Sequence, residues 1–132
     1  MNGFKLQKRF FNATSQHLPV REATREEDRQ GIDFFVRSNA APVAVQLTFY
    51  RLQLHDIKKT AQTALRKGVP MAYVKLERTR SIQKAAALLA DYCRVLEEGE
   101  GAVIVEHRGR MLHSLLPLKS LAYMEVEEDV RE

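Results

Sequence analysis

The sequence predicts an α/β fold in which helices cover a central sheet. Segments with apolar residues at helical spacing alternate with short runs rich in β-branched and aromatic residues. One of these runs begins with Val43, Ala44 and Val45, and successive apolar residues are typical of a strand that is covered on both faces. The 132 residues include no linker-like stretch, so we expect a single domain over residues 1–132.

Local patterns predict the order of the elements. Helices are expected where apolar residues recur every three or four positions, and strands where β-branched residues lie between turn residues. The predicted helices are 4–17, 56–67 and 81–96. The predicted strands are 19–23, 32–37, 43–50, 71–76, 102–105 and 111–116. The polar segment 24–31 is predicted as a loop, and Tyr123, Met124 and Val126 are predicted to form a short edge strand.

Composition excludes several classes of protein. Apolar residues make up 45% of the chain and charged residues 29%, which is too apolar for a disordered protein. The first residues interleave Lys5, Lys8 and Arg9 with aromatic residues, unlike a secretory signal. The longest near-continuous apolar stretch, 85–90, is far shorter than the roughly 20 residues that span a bilayer. A single cysteine, Cys93, cannot form an internal disulfide, so we expect a cytoplasmic protein without a membrane span.

Charge is distributed unevenly along the chain. The net charge is +4, but residues 22–33 carry five acidic and two basic side chains, whereas residues 51–80 carry eight basic and two acidic ones. An acidic segment followed by a basic one suits a cation site beside a phosphate-binding surface. A solvated basic helix face is the alternative interpretation. The candidate nucleic-acid-binding residues are Lys58, Lys59, Arg66, Lys67, Arg78 and Arg80.

Oxygen-donor side chains lie in and near the predicted hairpin. Glu22, Asp28 and Asp33 belong to the acidic segment, and Gln46 lies within the second hairpin strand. Mg²⁺ and Mn²⁺ prefer carboxylate and amide oxygens, and adjacent strands can bring Asp33 and Gln46 together on one face. Gln46 also needs a partner, because an unsatisfied buried amide costs about 1–3 kcal/mol. Alternatively, Asp33 finishes a turn and Gln46 satisfies a backbone group.

One stretch of sequence carries a recognisable motif. The chain reads Glu-Asp-Arg-Gln-Gly-Ile-Asp-Phe-Phe-Val from Glu27, then a turn, then Pro-Val-Ala-Val-Gln-Leu-Thr up to Thr48. This pattern resembles the core motif of the PD-(D/E)XK, or restriction-endonuclease-like, nuclease superfamily. The resemblance implies an αβββαβ core with a mixed central sheet over about residues 4–77. A C-terminal helix and hairpin over about 81–126 and an acidic tail over 125–132 would then be additions.

The resemblance implies roles for individual residues. Asp33 matches the metal-binding aspartate, and Gln46 matches the Glu-or-Gln position that helps to hold the metal. Glu22 or Asp28 would supply an additional carboxylate, and the spacing does not select between them. The implied activity is hydrolysis of phosphodiester bonds in DNA or RNA with Mg²⁺ or Mn²⁺, and the implied partner is nucleic acid.

Thr48 departs from the motif because it stands where the family has a lysine. That lysine positions or activates the attacking water and stabilises developing negative charge, which threonine cannot do electrostatically. In one interpretation the cation comes from Lys75, Lys58 or Lys59; Lys75 is attractive because it and Tyr73 alternate with apolar residues. In the other, catalysis is lost and the fold serves as a binding or assembly module for nucleic acid or a protein partner. A homodimer formed through a sheet edge or the C-terminal hairpin is the third hypothesis.

Overall fold

The computed structural model describes residues 3–38, 42–48, 53–76, 82–96, 101–107 and 111–126. The helices are α1 (Gly3–Ser15), α2 (Arg25–Arg29), α3 (Leu54–Lys67), α4 (Ile82–Val95) and α5 (Leu118–Ala122). The strands are β1 (Val20–Glu22), β2 (Phe34–Arg37), β3 (Pro42–Thr48), β4 (Met71–Lys75), β5 (Gly101–His107) and β6 (Met111–Pro117). The three long predicted helices and the six main predicted strands are therefore observed.

The six strands form one mixed sheet, and their spatial order is their order along the chain. Strands β1, β2 and β3 form an antiparallel meander, and β6 pairs antiparallel with β5. The pairs β3–β4 and β4–β5 are parallel, and each is connected by a helical crossover, α3 and α4 respectively. The predicted α/β class and the mixed sheet flanked by helices are confirmed.

Helices cover both faces of the sheet. On one face, α1 and α4 contribute residues such as Phe10 and Leu89 to a core with Val45. On the other, α3 and α5 contribute residues such as Ile57 to a core with Tyr73. Every residue of the central strand β4 is buried, as expected for a parallel strand between two helical layers.

The prediction of a loop over 24–31 is wrong, because this segment contains the short helix α2. The Thr24 side chain accepts a hydrogen bond from the Glu27 N–H (3.1 Å), and the Glu27 carboxylate accepts one from the Thr24 N–H (2.9 Å). This reciprocal capping box satisfies two N–H groups that a helix start otherwise leaves unpaired. The spacing of Thr24 and Glu27 was therefore a helix signal within a polar run.

The predicted edge strand at 123–126 is also wrong: these residues follow α5 in a turn and irregular backbone. Leu118, Leu121 and Ala122 are buried at helical spacing against α3. The Gln62 side chain on α3 donates a hydrogen bond to the Ala122 carbonyl (3.1 Å). Packing against α3 therefore favours the helix α5, which directly precedes the segment that was predicted as an edge strand.

Some predictions fall on residues that the structure does not describe. Arg78 and Arg80, the hairpin turn 39–41 and the acidic tail beyond residue 126 all lie outside the described residues. No helix in the described ranges combines the length and apolar character needed to cross a bilayer.

Candidate functional site

Asp33 lies immediately before β2, at the end of the ladder that joins β2 to β3. Its N–H donates to the Val45 carbonyl (2.7 Å), and its Oδ2 accepts a hydrogen bond from the Leu47 N–H (2.7 Å). The Asp33 carboxylate thus accepts the hydrogen bond from a β3 N–H that a backbone carbonyl would otherwise accept in the ladder. Its other oxygen, Oδ1, forms no hydrogen bond within the described part of the chain. One oxygen of Asp33 therefore has a structural role, and the other is available to a ligand.

The electrostatic environment of Asp33 disfavours its negative charge. Burial raises the pKa of this carboxyl group to about 6, and the charges of Asp28 and Asp56 add to the increase. The hydrogen bond from the Leu47 N–H opposes it. A carboxylate that is partly desolvated and repelled by its neighbours gains from binding a proton or a cation.

Asp33 lines a cavity of about 680 Å³ between α1, β1 and α2. Three of the four predicted oxygen ligands, Glu22, Asp28 and Asp33, border this cavity. The remaining lining residues are Gln7, Lys8, Phe11, Ala23, Thr24 and Arg25. The fold therefore brings together carboxylates that are spread over twelve positions of the sequence.

Glu22 and Asp28 differ in how they relate to Asp33. The Glu22 side chain is 72% exposed, and its Oε2 lies 3.9 Å from the Lys8 Nζ. Asp28 is also exposed, but its charge contributes to the raised pKa of Asp33. Asp28 is thus the carboxylate that interacts electrostatically with Asp33, a distinction that spacing alone did not make.

Gln46 is half-buried on β3 and is directed towards α3. Its Oε1 accepts a hydrogen bond from the Thr60 hydroxyl, which also lies 2.9 Å from the Gly31 carbonyl oxygen. A hydroxyl has one proton and can donate to only one of these two oxygens at a time. The prediction that Gln46 needs a polar partner is confirmed, and that partner is a side chain of α3. Extending the pairing of Phe34 with Val45 by one residue places Gln46 opposite Asp33 in register.

Gly31 shapes the turn between α2 and β2. Its φ of +97° lies in the region that favours glycine, and a Cβ there would lie 2.6 Å from the Thr60 Oγ1. A side chain at this position would collide with the hydroxyl that contacts Gln46. The close approach of Gly31 to α3 therefore helps to set the position of Asp33, two residues later.

Lys75 lies beside Thr48, the position at which the sequence departs from the nuclease motif that it resembles. The parallel register pairs Thr48 of β3 with Lys75 of β4, and both residues end their strands. Lys75 is only 4% exposed, so it lies in the covered part of the sheet. It forms no ion pair with any residue that the structure describes. No buried side-chain nitrogen or oxygen atom among the described residues lacks a hydrogen-bond partner, so the burial of Lys75 concerns its aliphatic stem.

Tyr73 and Asp56 form a polar cluster with Asp33 and Thr48, although neither was predicted from the sequence as a site residue. The Tyr73 hydroxyl accepts a hydrogen bond from the Gln53 N–H (3.3 Å) and forms another with the Thr48 side chain. Burial raises the pKa of Tyr73, and the charges of Asp56 and Asp33 add to the increase. Asp56, in the first turn of α3, resembles an ordinary helix-start residue. Asp56 joins this cluster because α3 crosses over the sheet between β3 and β4, which the local sequence does not show.

The basic residues of α3 have different environments. Lys58 is half-buried, and Lys59, Arg66 and Lys67 are exposed. The Lys67 Nζ lies 3.5 Å from the Glu27 Oε2, so Lys67 connects α3 to α2. Its candidate role in binding nucleic acid therefore competes with this ion pair.

The residues around Asp33 fit a divalent cation only as a partial site. Among the described residues, no group of three or more His, Cys, Asp or Glu side chains could hold a metal ion. Asp33 and Asp28 border one cavity and supply only oxygen atoms. Mg²⁺ commonly binds through one or two carboxylates while water and substrate phosphates complete its coordination. The donor set is therefore compatible with a cation that arrives with its substrate.

Comparison with family models, with curated protein sequences and with solved structures finds no match to this chain. Its function is therefore inferred from the site itself. The site contains a carboxyl group with a raised pKa and a neighbouring carboxylate, and a buried lysine lies beside Thr48 on the next strand.

Proposed function

We propose that this protein is a metal-dependent nuclease that hydrolyses phosphodiester bonds in DNA or RNA with Mg²⁺ or Mn²⁺. The order of elements supports this proposal: α1, β1, β2, β3, α3 and β4 follow the αβββαβ order of a restriction-endonuclease-like core, with α2 inserted between β1 and β2. Thr48 and Lys75 lie at the carboxyl ends of neighbouring parallel strands, where α/β proteins commonly bind ligands.

The observation that carries the proposal is the buried Lys75 beside Thr48. In the proposed site, Lys75 supplies from β4 the positive charge that the motif lysine would supply from β3. A cation in a water-poor environment stabilises developing negative charge more strongly than a solvated one.

Asp33 and Asp28 would hold the divalent cation, and Gln46 would contribute the remaining lone pair of its amide oxygen. When bound, the cation supplies Lewis-acid polarisation of the phosphate and lowers the pKa of water. The raised pKa of Asp33 means that its proton competes with the cation below about pH 6. Lys59 and Arg66 on α3 would contact the nucleic-acid backbone, and such contacts carry no sequence information.

The test is cleavage of plasmid, branched and single-stranded substrates with Mg²⁺ or Mn²⁺. We expect Asp33→Asn and Lys75→Met each to reduce cleavage at least about 100-fold, the scale of losing one electrostatic stabiliser. The exposed Lys84 on α4 provides a matched control, and Lys84→Met should retain full activity. Thermal unfolding of each variant checks that a loss of cleavage is not a loss of structure.

An exchange of side chains separates catalysis from structure. Thr48→Lys combined with Lys75→Thr moves the ammonium group one strand across while keeping both residue types. Recovery of cleavage relative to Lys75→Met would support the proposed role. Cleavage that Asp33→Asn leaves unchanged would come from a contaminating enzyme and would overturn the proposal.

The second candidate is a catalytically inactive protein of the same fold that binds nucleic acid. Thr48 and the lack of a three-ligand group among the described residues favour it. Binding would weaken steeply with salt, because lysine and arginine contacts release counterions from the phosphate backbone. Salt-sensitive binding without cleavage of any substrate is the result that would select this candidate.

A further inference from the structure

The wall of the cavity beside Asp33 includes an aromatic ring from α1 as well as carboxylates. Gln7, Lys8 and Phe11 line it from α1. Phe11 follows Lys8 by three residues and Gln7 by four, so each of them is a neighbour of Phe11 on the helix surface. The half-buried Phe11 ring packs edge-to-face against Phe34, with 5.3 Å between ring centroids. This contact holds the ring in a fixed orientation at the cavity wall.

Cations border the opening of the same cavity. Lys8 comes from α1 and Arg25 from α2, and both side chains belong to exposed residues. Lys8 is paired with Glu22 only through a contact of 3.9 Å between two exposed side chains. Such a surface pair contributes little, so a phosphate can replace it at low cost.

We propose that this cavity binds one unpaired nucleotide of a single strand, with its base against Phe11 and its phosphate between Lys8 and Arg25. The volume of about 680 Å³ lies within the range of about 300–1,000 Å³ that is usual for ligand pockets. In a duplex, both faces of each base are covered by its neighbours, so only an unpaired base can stack on the ring. This inference rests on the proposed function and specifies its substrate class.

The charges at the cavity predict that nucleotide binding requires a divalent cation. Three carboxylates (Glu22, Asp28 and Asp33) face two cations (Lys8 and Arg25) among the lining residues. A phosphate that approaches this set unaided meets net negative charge. A divalent cation at Asp28 and Asp33 reverses the sign and links the cavity to the proposed catalytic residues.

A tryptophan reporter tests this inference directly, since the chain contains no tryptophan. In Phe11→Trp the new ring lies at the cavity wall, and in the matched control, Tyr123→Trp, it replaces a residue that is 71% exposed beyond α5. We expect oligo-dT or oligo-U with Ca²⁺ to quench the fluorescence of Phe11→Trp but not that of Tyr123→Trp. EDTA should abolish the quenching, and the same oligonucleotide in a duplex should produce much less.

Affinity measurements give the second readout. Phe11→Leu keeps an apolar side chain against Phe34 but removes the aromatic face, and it should weaken single-strand binding at least about fivefold, the low end for one base–aromatic stack. Equal quenching by duplex, or unchanged affinity of Phe11→Leu, would overturn the inference. Gel analysis shows whether the oligonucleotide remains intact. Phe11-dependent binding without cleavage in Mg²⁺ or Mn²⁺ would contradict only the proposed nuclease activity, whereas cleavage without quenching would contradict only the nucleotide pocket.

Discussion

Glu27 and Asp33 are carboxyl groups on either side of the Gly31 turn, and their environments are opposite. Burial alone would raise the pKa of Glu27, but hydrogen bonds from Arg21 and the Thr24 N–H and the charges of Arg21 and Lys67 lower it to about 2. Burial raises the pKa of Asp33 to about 6, and its nearest charged influences are the carboxylates Asp28 and Asp56. Neighbours that compensate the charge give Glu27 a structural role, whereas the charge of Asp33 lacks such neighbours, as expected of a ligand in the proposed site.

The geometry around Glu27 agrees with a structural role. Its two oxygens accept hydrogen bonds from Arg21 at 3.2 and 3.3 Å, and Arg21 in turn lies over the Phe35 ring at 4.3 Å. Glu27 also belongs to the capping box of α2 and contacts Lys67 on α3. One side chain therefore connects β1, α2 and α3.

The largest expected effect comes from breaking the interactions of Glu27. Glu27→Ala removes the paired hydrogen bonds and the cap, and should lower the free energy of unfolding by about 3 kcal/mol at pH 7. Because the folded-state pKa is lowered, this contribution is present above about pH 4.5 and is lost as the pH falls towards 2. Urea denaturation at pH 7 and at pH 3 measures it. A difference between variant and wild type that is the same at both pH values would contradict the electrostatic origin.

Gly31 lies between Glu27 and Asp33 in the chain. Its substitution therefore tests how much the turn between these two carboxyl groups contributes to stability. Gly31→Ala places a Cβ against the Thr60 Oγ1 at a positive φ, and should cost about 2 kcal/mol. Gly68 is the matched control: its φ is +73°, but a Cβ there meets no atom within 4 Å, so Gly68→Ala should cost about 1 kcal/mol. Equal costs in thermal unfolding would show that the collision with Thr60 is relieved without consequence.

Substituting Asp33 should have the opposite sign to substituting Glu27. Because the folded-state pKa is raised, the wild-type protein loses stability as the pH rises from about 4 through about 6. Asp33→Asn removes the charge and should raise the free energy of unfolding by on the order of 2 kcal/mol at pH 7.5. This advantage should vanish below about pH 4, where both proteins are uncharged at this position. A variant that is less stable than the wild type at pH 7.5 would show that the hydrogen bond to Leu47 outweighs desolvation.

The smallest effect concerns Lys67, which contributes only part of the charge that compensates Glu27. Its side chain is 37% exposed, and an ion pair of that kind contributes about 0.2–1 kcal/mol. Lys67→Met should therefore reduce the free energy of unfolding by less than about 1 kcal/mol, and the loss should shrink in high salt. Lys59→Met is the matched control on the same helix, and a loss equal to that of Lys67→Met would argue against a specific pair with Glu27.

Elements with strong local periodicity could be predicted from the sequence, and elements that depend on a few polar contacts could not. The hairpin β2–β3, the helix α3 and the strand β4 are predicted because their apolar spacing is set by the faces that they bury. The helix α2 has no buried residue and depends instead on the capping box of Thr24 and Glu27. Helix α5 depends on the surface of α3, which a local pattern does not reveal.

The candidate site likewise contains residues that could be predicted from the local sequence and residues that could not. Asp33 and Gln46 could be predicted as candidate residues because they are oxygen donors in one predicted hairpin and fall within one short motif. The burial of Lys75 follows from helices on both faces of the sheet, which alternation along β4 does not reveal. Asp56 and Tyr73 join the cluster only through the crossover from β3 to β4, a contact between residues distant in sequence.

In the proposed site, Lys75 would couple the stability of the protein to the binding of an anionic ligand. A ligand that binds only the folded chain raises its melting temperature in proportion to the logarithm of ligand concentration. An anion that binds the Lys75 ammonium group should therefore act as a thermal stabiliser, and Lys75→Met should be insensitive to it. Melting curves across a panel of phosphate esters and oligonucleotides would rank candidate substrates before any reaction is assayed.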